Sequence, residues 1–150
     1  MTVVVDANIL IAFGLADEPL HTQANQLLAT WKNASERLTA PRLFRSEITA
    51  VVRKVVYQGR ATPEQGRIML AQLLRYPIEF HEDDALLNEA YEFAVRFNRP
   101  RTYDTQYVAL ADRFQCEFWT ADERLVNSIQ AQFGLIRWLG SWTPPSSSSP

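Results

Sequence analysis

The chain of 150 residues is about one domain long and can bury a core without disulfides or a structural metal. Its single cysteine, Cys116, cannot form an internal bridge, no charged-then-apolar leader opens it, and no apolar run reaches the roughly 18 residues of a membrane span; a cytoplasmic protein with no membrane partner is expected. A net charge of -2 gives no global attraction for nucleic acid, so such a partner would need a local basic patch or bound cations.

The first stretch, Val3-Val4-Val5-Asp6, is a run of β-branched residues ending in an acid, which predicts a buried strand with Asp6 at its carboxyl end. A helix follows from Ala7 to Leu15 on the spacing of Ile9, Leu10 and Phe13. Asp17 and Pro19 mark the start of a second helix, with Leu20, Ala24, Leu27, Leu28 and Trp31 on its buried side. Arg37 to Ala40 is a short strand ended by Pro41. Arg42 to Gln58 is a long helix with an apolar stripe through Leu43, Phe44, Ile48, Val51, Val52 and Val55, closed by Gly59. Thr62, Pro63 and Gln65 have the spacing of a capping box with proline at the first helical position, and Pro77 stops that helix at Tyr76.

Pro77 to His81 is a third strand, and Asp83 or Asp84 caps a helix carrying Leu86, Leu87, Ala90, Phe93, Ala94 and Phe97 that Pro100 terminates. Tyr103 to Phe114 is helical, Glu117 to Thr120 a fourth strand, Glu123 to Phe133 a helix closed by Gly134, and Leu135 to Leu139 a last strand. Alternating strands and helices predict an α/β fold: a three-layer α/β/α sandwich around a mostly parallel sheet of four to five strands, spanning residues 1–142. The Pro and Ser run of 143–150 is expected to be a disordered tail.

Four acids stand out. Asp6 joins a strand to a helix, where capping is the ordinary role for an aspartate, and Asn8 could be a first-turn polar residue or a partner of Asp6. Glu47 is harder to place on a surface: at about 100° per residue, Leu43 and Val51 lie roughly 40° to either side of it, inside the stripe that faces the core. A carboxylate there needs a cation, an ion-pair partner or a raised pKa. Asp104 repeats the anomaly beside Val108 and Ala111, although its place at a helix start also permits capping. Asp122 follows the strand ending in Thr120 and so repeats the arrangement at Asp6. Four acids at one sheet edge would repel one another unless something positive neutralises them, and carboxylates without a His or Cys cluster favour Mg²⁺ or Mn²⁺ over zinc.

Four segments in this order, Val4-Val5-Asp6-Ala7-Asn8-Ile9-Leu10, Ser46-Glu47-Ile48, Tyr103-Asp104-Thr105-Gln106-Tyr107-Val108-Ala109-Leu110-Ala111 and Trp119-Thr120-Ala121-Asp122-Glu123-Arg124-Leu125, resemble those of the PIN-domain ribonucleases, and the likeness runs over roughly residues 2 to 140. The short single-domain form is similar to the VapC-type toxins of toxin-antitoxin pairs. The resemblance implies that Asp6, Glu47, Asp104 and Asp122 are metal-binding catalytic acids, with Asn8 and Thr120 as supporting polar residues. It also implies Mg²⁺- or Mn²⁺-dependent hydrolysis of an RNA phosphodiester, a cognate antitoxin and a homodimer. Ala7 stands where the family usually carries Thr or Ser, so a hydroxyl contact is missing from the first motif.

Arg42, Arg45, Arg53, Lys54, Arg60 and Arg67 cluster around Glu47 with only Glu47 and Glu64 as acids in that window, and Arg99 and Arg101 precede Asp104; both groups are candidate RNA contacts, or solvated helix faces. Tyr103 could stack on a base or belong to the core. His21 and His81 lie outside the four motifs and read as surface or strand-end residues, and Cys116 as a small buried hydrophobe. Two other classes compete with the nuclease: a PIN-fold binding module with little or no catalysis, and a metal-dependent phosphatase using an aspartyl nucleophile. The phosphatase lacks its second acid, because Asn8 stands there.

Overall fold

The computed structural model describes residues 1–146. In chain order the elements are β1 (Thr2–Val5), α1 (Ala7–Gly14), α2 (His21–Asn33), β2 (Arg37–Pro41), α3 (Leu43–Tyr57), α4 (Pro63–Leu74), β3 (Glu79–His81), α5 (Asp84–Arg96), α6 (Tyr103–Phe114), β4 (Phe118–Thr120), α7 (Glu123–Ile129) and β5 (Ile136–Trp138), followed by a single 3-10 turn over Leu139–Ser141. The strands form one sheet in the order β3-β2-β1-β4-β5, and every neighbouring pair is parallel. In the central strand Val4 is opposite Thr39 of β2 and Phe118 of β4. Val4 and Val5 are fully buried, as a strand covered by helices on both faces requires. One helical layer is built on α1, which touches β4 and carries α2, α3 and α4; in the other, α6 lies over β1, β2 and β4 with α5 behind it. This is the expected α/β sandwich, with five strands.

Local chemistry explains most of the boundaries. The Thr62 hydroxyl accepts from the Gln65 N–H at 3.1 Å and the Gln65 side chain accepts from the Thr62 N–H at 2.9 Å, completing the capping box. Gly59 takes φ 76°, and the Gly59 and Arg60 amides return to the carbonyls of Val56 and Val55, a left-handed cap that closes α3. Asp83, rather than Asp84, caps α5 through the Leu86 amide at 2.7 Å and receives both Arg113 nitrogens, tying the start of α5 to the end of α6.

Three expectations need correction. Asp17 does not open α2, which begins at His21 without a side-chain cap; Asp17 and Glu18 instead receive Arg60 at 2.9 and 2.8 Å. The helix α7 stops at Ile129, and Gly134 does not cap it. The apolar spacing of Ile129 and Phe133 continues into turns, with the Gln132 and Phe133 amides both bonded to the Ile129 carbonyl. The third strand starts at Glu79, two residues after Pro77. Of the expected tail, Thr143, Pro144, Pro145 and Ser146 carry no regular structure and are exposed, and 147–150 lie outside the described residues.

Candidate active site

The strand order places β1 beside β4 at the point where the chain's progress across the sheet reverses: β2 and β3 extend to one side, β4 and β5 to the other. In an open parallel sheet that switch point leaves a crevice beyond the carboxyl ends of the two strands. Asp6 leaves β1 there, with its N–H bonded to the Trp119 carbonyl at 3.0 Å, and Asp122 leaves β4 two residues after Thr120. Each serves as the N-cap of the following helix, α1 and α7, so capping and site formation coexist.

Thr120 joins the two strand ends. It is fully buried, its hydroxyl donates to Asp6 Oδ2 at 2.9 Å, and it accepts from Asn8 Nδ2 at 3.0 Å and from the Asp122 N–H at 3.1 Å. One donor and two acceptor positions exhaust a hydroxyl. The Asn8 carbonyl oxygen accepts from the Ala121 N–H at 2.9 Å, so Asn8 is spent on bridging α1 to the turn after β4. That use leaves it no part in an aspartyl-phosphatase scheme.

The other two acids come from helices. Glu47, half-buried in the second turn of α3, accepts a short 2.6 Å hydrogen bond from the hydroxyl of Tyr107 on α6. Asp104, in the first turn of α6, receives Arg99 at 3.3 Å, and Arg99 also donates to Ser128 of α7 at 3.1 Å. Asn98, at φ 53°, turns the chain out of α5 and brings Arg99 to this position.

The electrostatics show that the acids share one environment. Burial first, then repulsion from Glu47 and Asp104, push the Asp6 pKa from 3.8 to about 8 against the opposing hydrogen bond from Thr120. Burial likewise raises Glu47, opposed by the Tyr107 hydroxyl and reinforced by Asp104. Asp104 is raised by burial, opposed by Arg99 and reinforced by Asp122. Each acid is nonetheless anchored to a partner of its own, and among the described residues no three His, Cys, Asp or Glu side chains stand close enough to enclose one ion. The donor set itself fits a hard divalent cation: it offers carboxylate oxygens, lacks imidazole and thiolate, and holds a carboxyl whose pKa burial, and then its acidic neighbours, raise.

The basic residues divide. At about 100° per residue, Lys54 lies about 20° from Glu47 around α3, whereas Arg42, Arg45 and Arg53 lie about 140°, 160° and 120° away. Arg45 reaches the Leu74 carbonyl at 3.2 Å and stacks on Phe80, and Arg53 stacks on Tyr57. Arg60 is committed to Asp17 and Glu18. Arg99 is therefore the cation paired with one of the acids, Asp104, with Arg101 exposed beside it and Lys54 on the Glu47 face of α3. Tyr103 is 59% exposed and is not a core aromatic. His81 pairs with Glu79 at the end of β3, and Cys116 is half-buried with its thiol pKa raised by burial. Sequence reasoning missed the Tyr107 hydroxyl; the available signal was a phenol on the buried side of α6, which needs a polar partner somewhere in the core.

A PIN domain model matches residues 4–133. A VapC ribonuclease of Mycobacterium bovis and ribonuclease VapC9 of Mycobacterium tuberculosis are each 34% identical to the chain over 130 residues, covering 87% of it and 93% of each relative. Among solved structures, Mycobacterium tuberculosis VapC20, a sarcin-ricin loop cleaving toxin, matches with a TM-score of 0.64 at 18% identity, covering 87% of this chain and 95% of the other. FitAcB from Neisseria gonorrhoeae matches with 0.65 at 13% identity, covering 93% and 99%. At those identities the structural likeness speaks for the fold, and the family rests on the sequence matches. The chain belongs to the PIN-domain family, among the ribonucleases of the VapC type.

Proposed function

We propose that the chain is the toxin of a toxin-antitoxin pair, a cytoplasmic endoribonuclease that depends on Mg²⁺ or Mn²⁺, with Asp6, Glu47, Asp104 and Asp122 as the acids that hold the cation. The observation that carries this reading is the delivery of Asp6 and Asp122 from adjacent strand ends, joined through Thr120, to the acids of α3 and α6: burial first, then Glu47 and Asp104, raise the Asp6 pKa, and Asp122 acts in turn on Asp104. A bound divalent cation would supply Lewis-acid chemistry there, lowering the pKa of the attacking water, neutralising the scissile phosphate and stabilising the leaving 3′ oxygen. The protein's own contribution is preorganisation. Thr120 and Asn8 lock Asp6 to the turn that carries Asp122. Arg99, held between Asp104 and Ser128, would receive the phosphate beside the acids, with Arg101, Lys54 and the exposed ring of Tyr103 as further contacts.

The relatives support the ribonuclease part of the reading: two are ribonucleases of the VapC type. A protein antitoxin and self-association as a homodimer complete the proposal. The test is RNA cleavage by metal-stripped protein with and without added Mg²⁺ or Mn²⁺. Cleavage only on addition of the cation is the expected result, and undiminished cleavage in EDTA would remove the metal-dependent mechanism.

A further inference from the structure

We propose that Tyr107 is a positioning residue for the cation site, acting through Glu47. This inference rests on the metal-dependent reading above and assigns a role to a side chain outside the four acids.

Glu47 has the longest side chain of the four acids and comes from the second turn of α3, on a helix and not from one of the strand ends that carry Asp6 and Asp122. Without a tether it would sample several rotamers, and holding it in one costs conformational entropy. Tyr107 supplies the tether. Its ring is fully buried and stacked on Phe118 of β4, with centroids 5.3 Å apart and planes at 11°, so the phenol oxygen is fixed by the core. From there the hydroxyl donates to Glu47 Oε1 at 2.6 Å, across 60 residues of sequence. The bond occupies one carboxylate oxygen and leaves Oε2 for a cation. Tyr107 lies three residues after Asp104 on the same helix, so one rigid element both presents an acid and orients another.

Partners that hold a metal ligand in place are worth about 10–100-fold in metal affinity. Tyr107→Phe keeps the ring and its stacking and removes only the donor. Mn²⁺ binding followed by electron paramagnetic resonance is expected to weaken about 10-fold in Tyr107→Phe, with kcat for RNA cleavage falling and KM for RNA unchanged. Glu47→Gln removes the charged ligand. If Tyr107 works through Glu47, adding Tyr107→Phe to Glu47→Gln weakens Mn²⁺ binding by less than about 2-fold more, the non-additivity expected of coupled residues. Native-like Mn²⁺ affinity in Tyr107→Phe, or the full 10-fold loss repeated in the Glu47→Gln background, overturns the assignment. If instead the native protein binds no Mn²⁺, the metal-dependent reading fails first.

A second measurement serves if Tyr107→Phe does not fold. In a Tyr103→Phe background, which removes the exposed phenol chromophore next to Asp104, Mg²⁺ is expected to perturb the tyrosine absorption spectrum, and Glu47→Gln to abolish that perturbation. A silent tyrosine spectrum under Mg²⁺ concentrations that thermally stabilise the protein contradicts the proposal.

Discussion

The carboxyl of Asp6 costs the metal-free protein stability at neutral pH, and replacing it with a group that cannot ionise should return it. Asp6 is 6% exposed, and its pKa rises from 3.8 to about 8 on folding, so the folded state holds the proton more tightly than the unfolded chain. The sign follows from linkage: the favourable contribution is complete below about pH 4 and is lost progressively as the pH rises through about 8. At pH 7 the unfolded carboxyl has given up its proton while the folded one keeps it, and the roughly 3.2 pH units between the unfolded pKa of 3.8 and pH 7, at 1.36 kcal/mol each, cost on the order of 4 kcal/mol. Asp6→Asn removes that cost and gives up the weaker of two hydrogen bonds, worth about 1 kcal/mol, because an amide oxygen still accepts from Thr120. A net gain of about 3 kcal/mol at pH 7 in EDTA is expected, a rise in Tm of about 6–12 °C for a chain of this size. The gain should vanish or reverse near pH 4. The assay is urea unfolding of both proteins in EDTA from pH 4 to 8. An Asp6→Asn protein no more stable than the native one at pH 7, or a gain that does not depend on pH, refutes the electrostatic account of the site.

The remaining predictions concern the partners of the acids and one control. Thr120→Val keeps the shape but strips the hydroxyl that serves Asp6, Asn8 and the Asp122 amide; a loss of about 1–3 kcal/mol in urea unfolding and a sharp fall in cleavage are expected. Arg99→Gln removes the cation that occupies Asp104, so calorimetry should show Mn²⁺ binding tightened several-fold while KM for RNA rises; weakened Mn²⁺ binding would show that Arg99 supports the acid edge instead of competing for it. Thr62→Ala breaks the capping box of α4, far in sequence from all four acids, and should cost about 1 kcal/mol with cleavage unchanged.

Where the determinants are local, sequence and structure agree closely. The Thr62 capping box, the Gly59 closure of α3 and the helix Tyr103–Phe114 all follow from short-range chemistry. The strand-acid-helix pattern at Asp6 and again at Asp122 located the sheet edge, because burial of Val3 to Val5 admits few other readings. The failures have non-local causes. Asp17 has good capping chemistry, yet Arg60, 43 residues away, takes it, and α2 starts four residues later. The spacing of Ile129 and Phe133 is helical, but the chain tightens into turns before β5. The clustering of arginines around Glu47 in sequence says nothing about direction, and the helix turns most of them away from the acid. Tyr107 is a core residue, but the partner of its hydroxyl lies on a different helix and only the packed structure reveals it.

The central claim is that four carboxylates at one sheet edge support hydrolysis of RNA by water with departure of the 3′ oxygen. The most direct test is mass spectrometry of the ends produced from a synthetic RNA by the native protein and by Asp104→Asn, both in Mn²⁺. The account predicts 5′-phosphate and 3′-hydroxyl ends from the native protein and intact RNA from the variant. Products ending in 2′,3′-cyclic phosphate, or equal cleavage by Asp104→Asn, would contradict it.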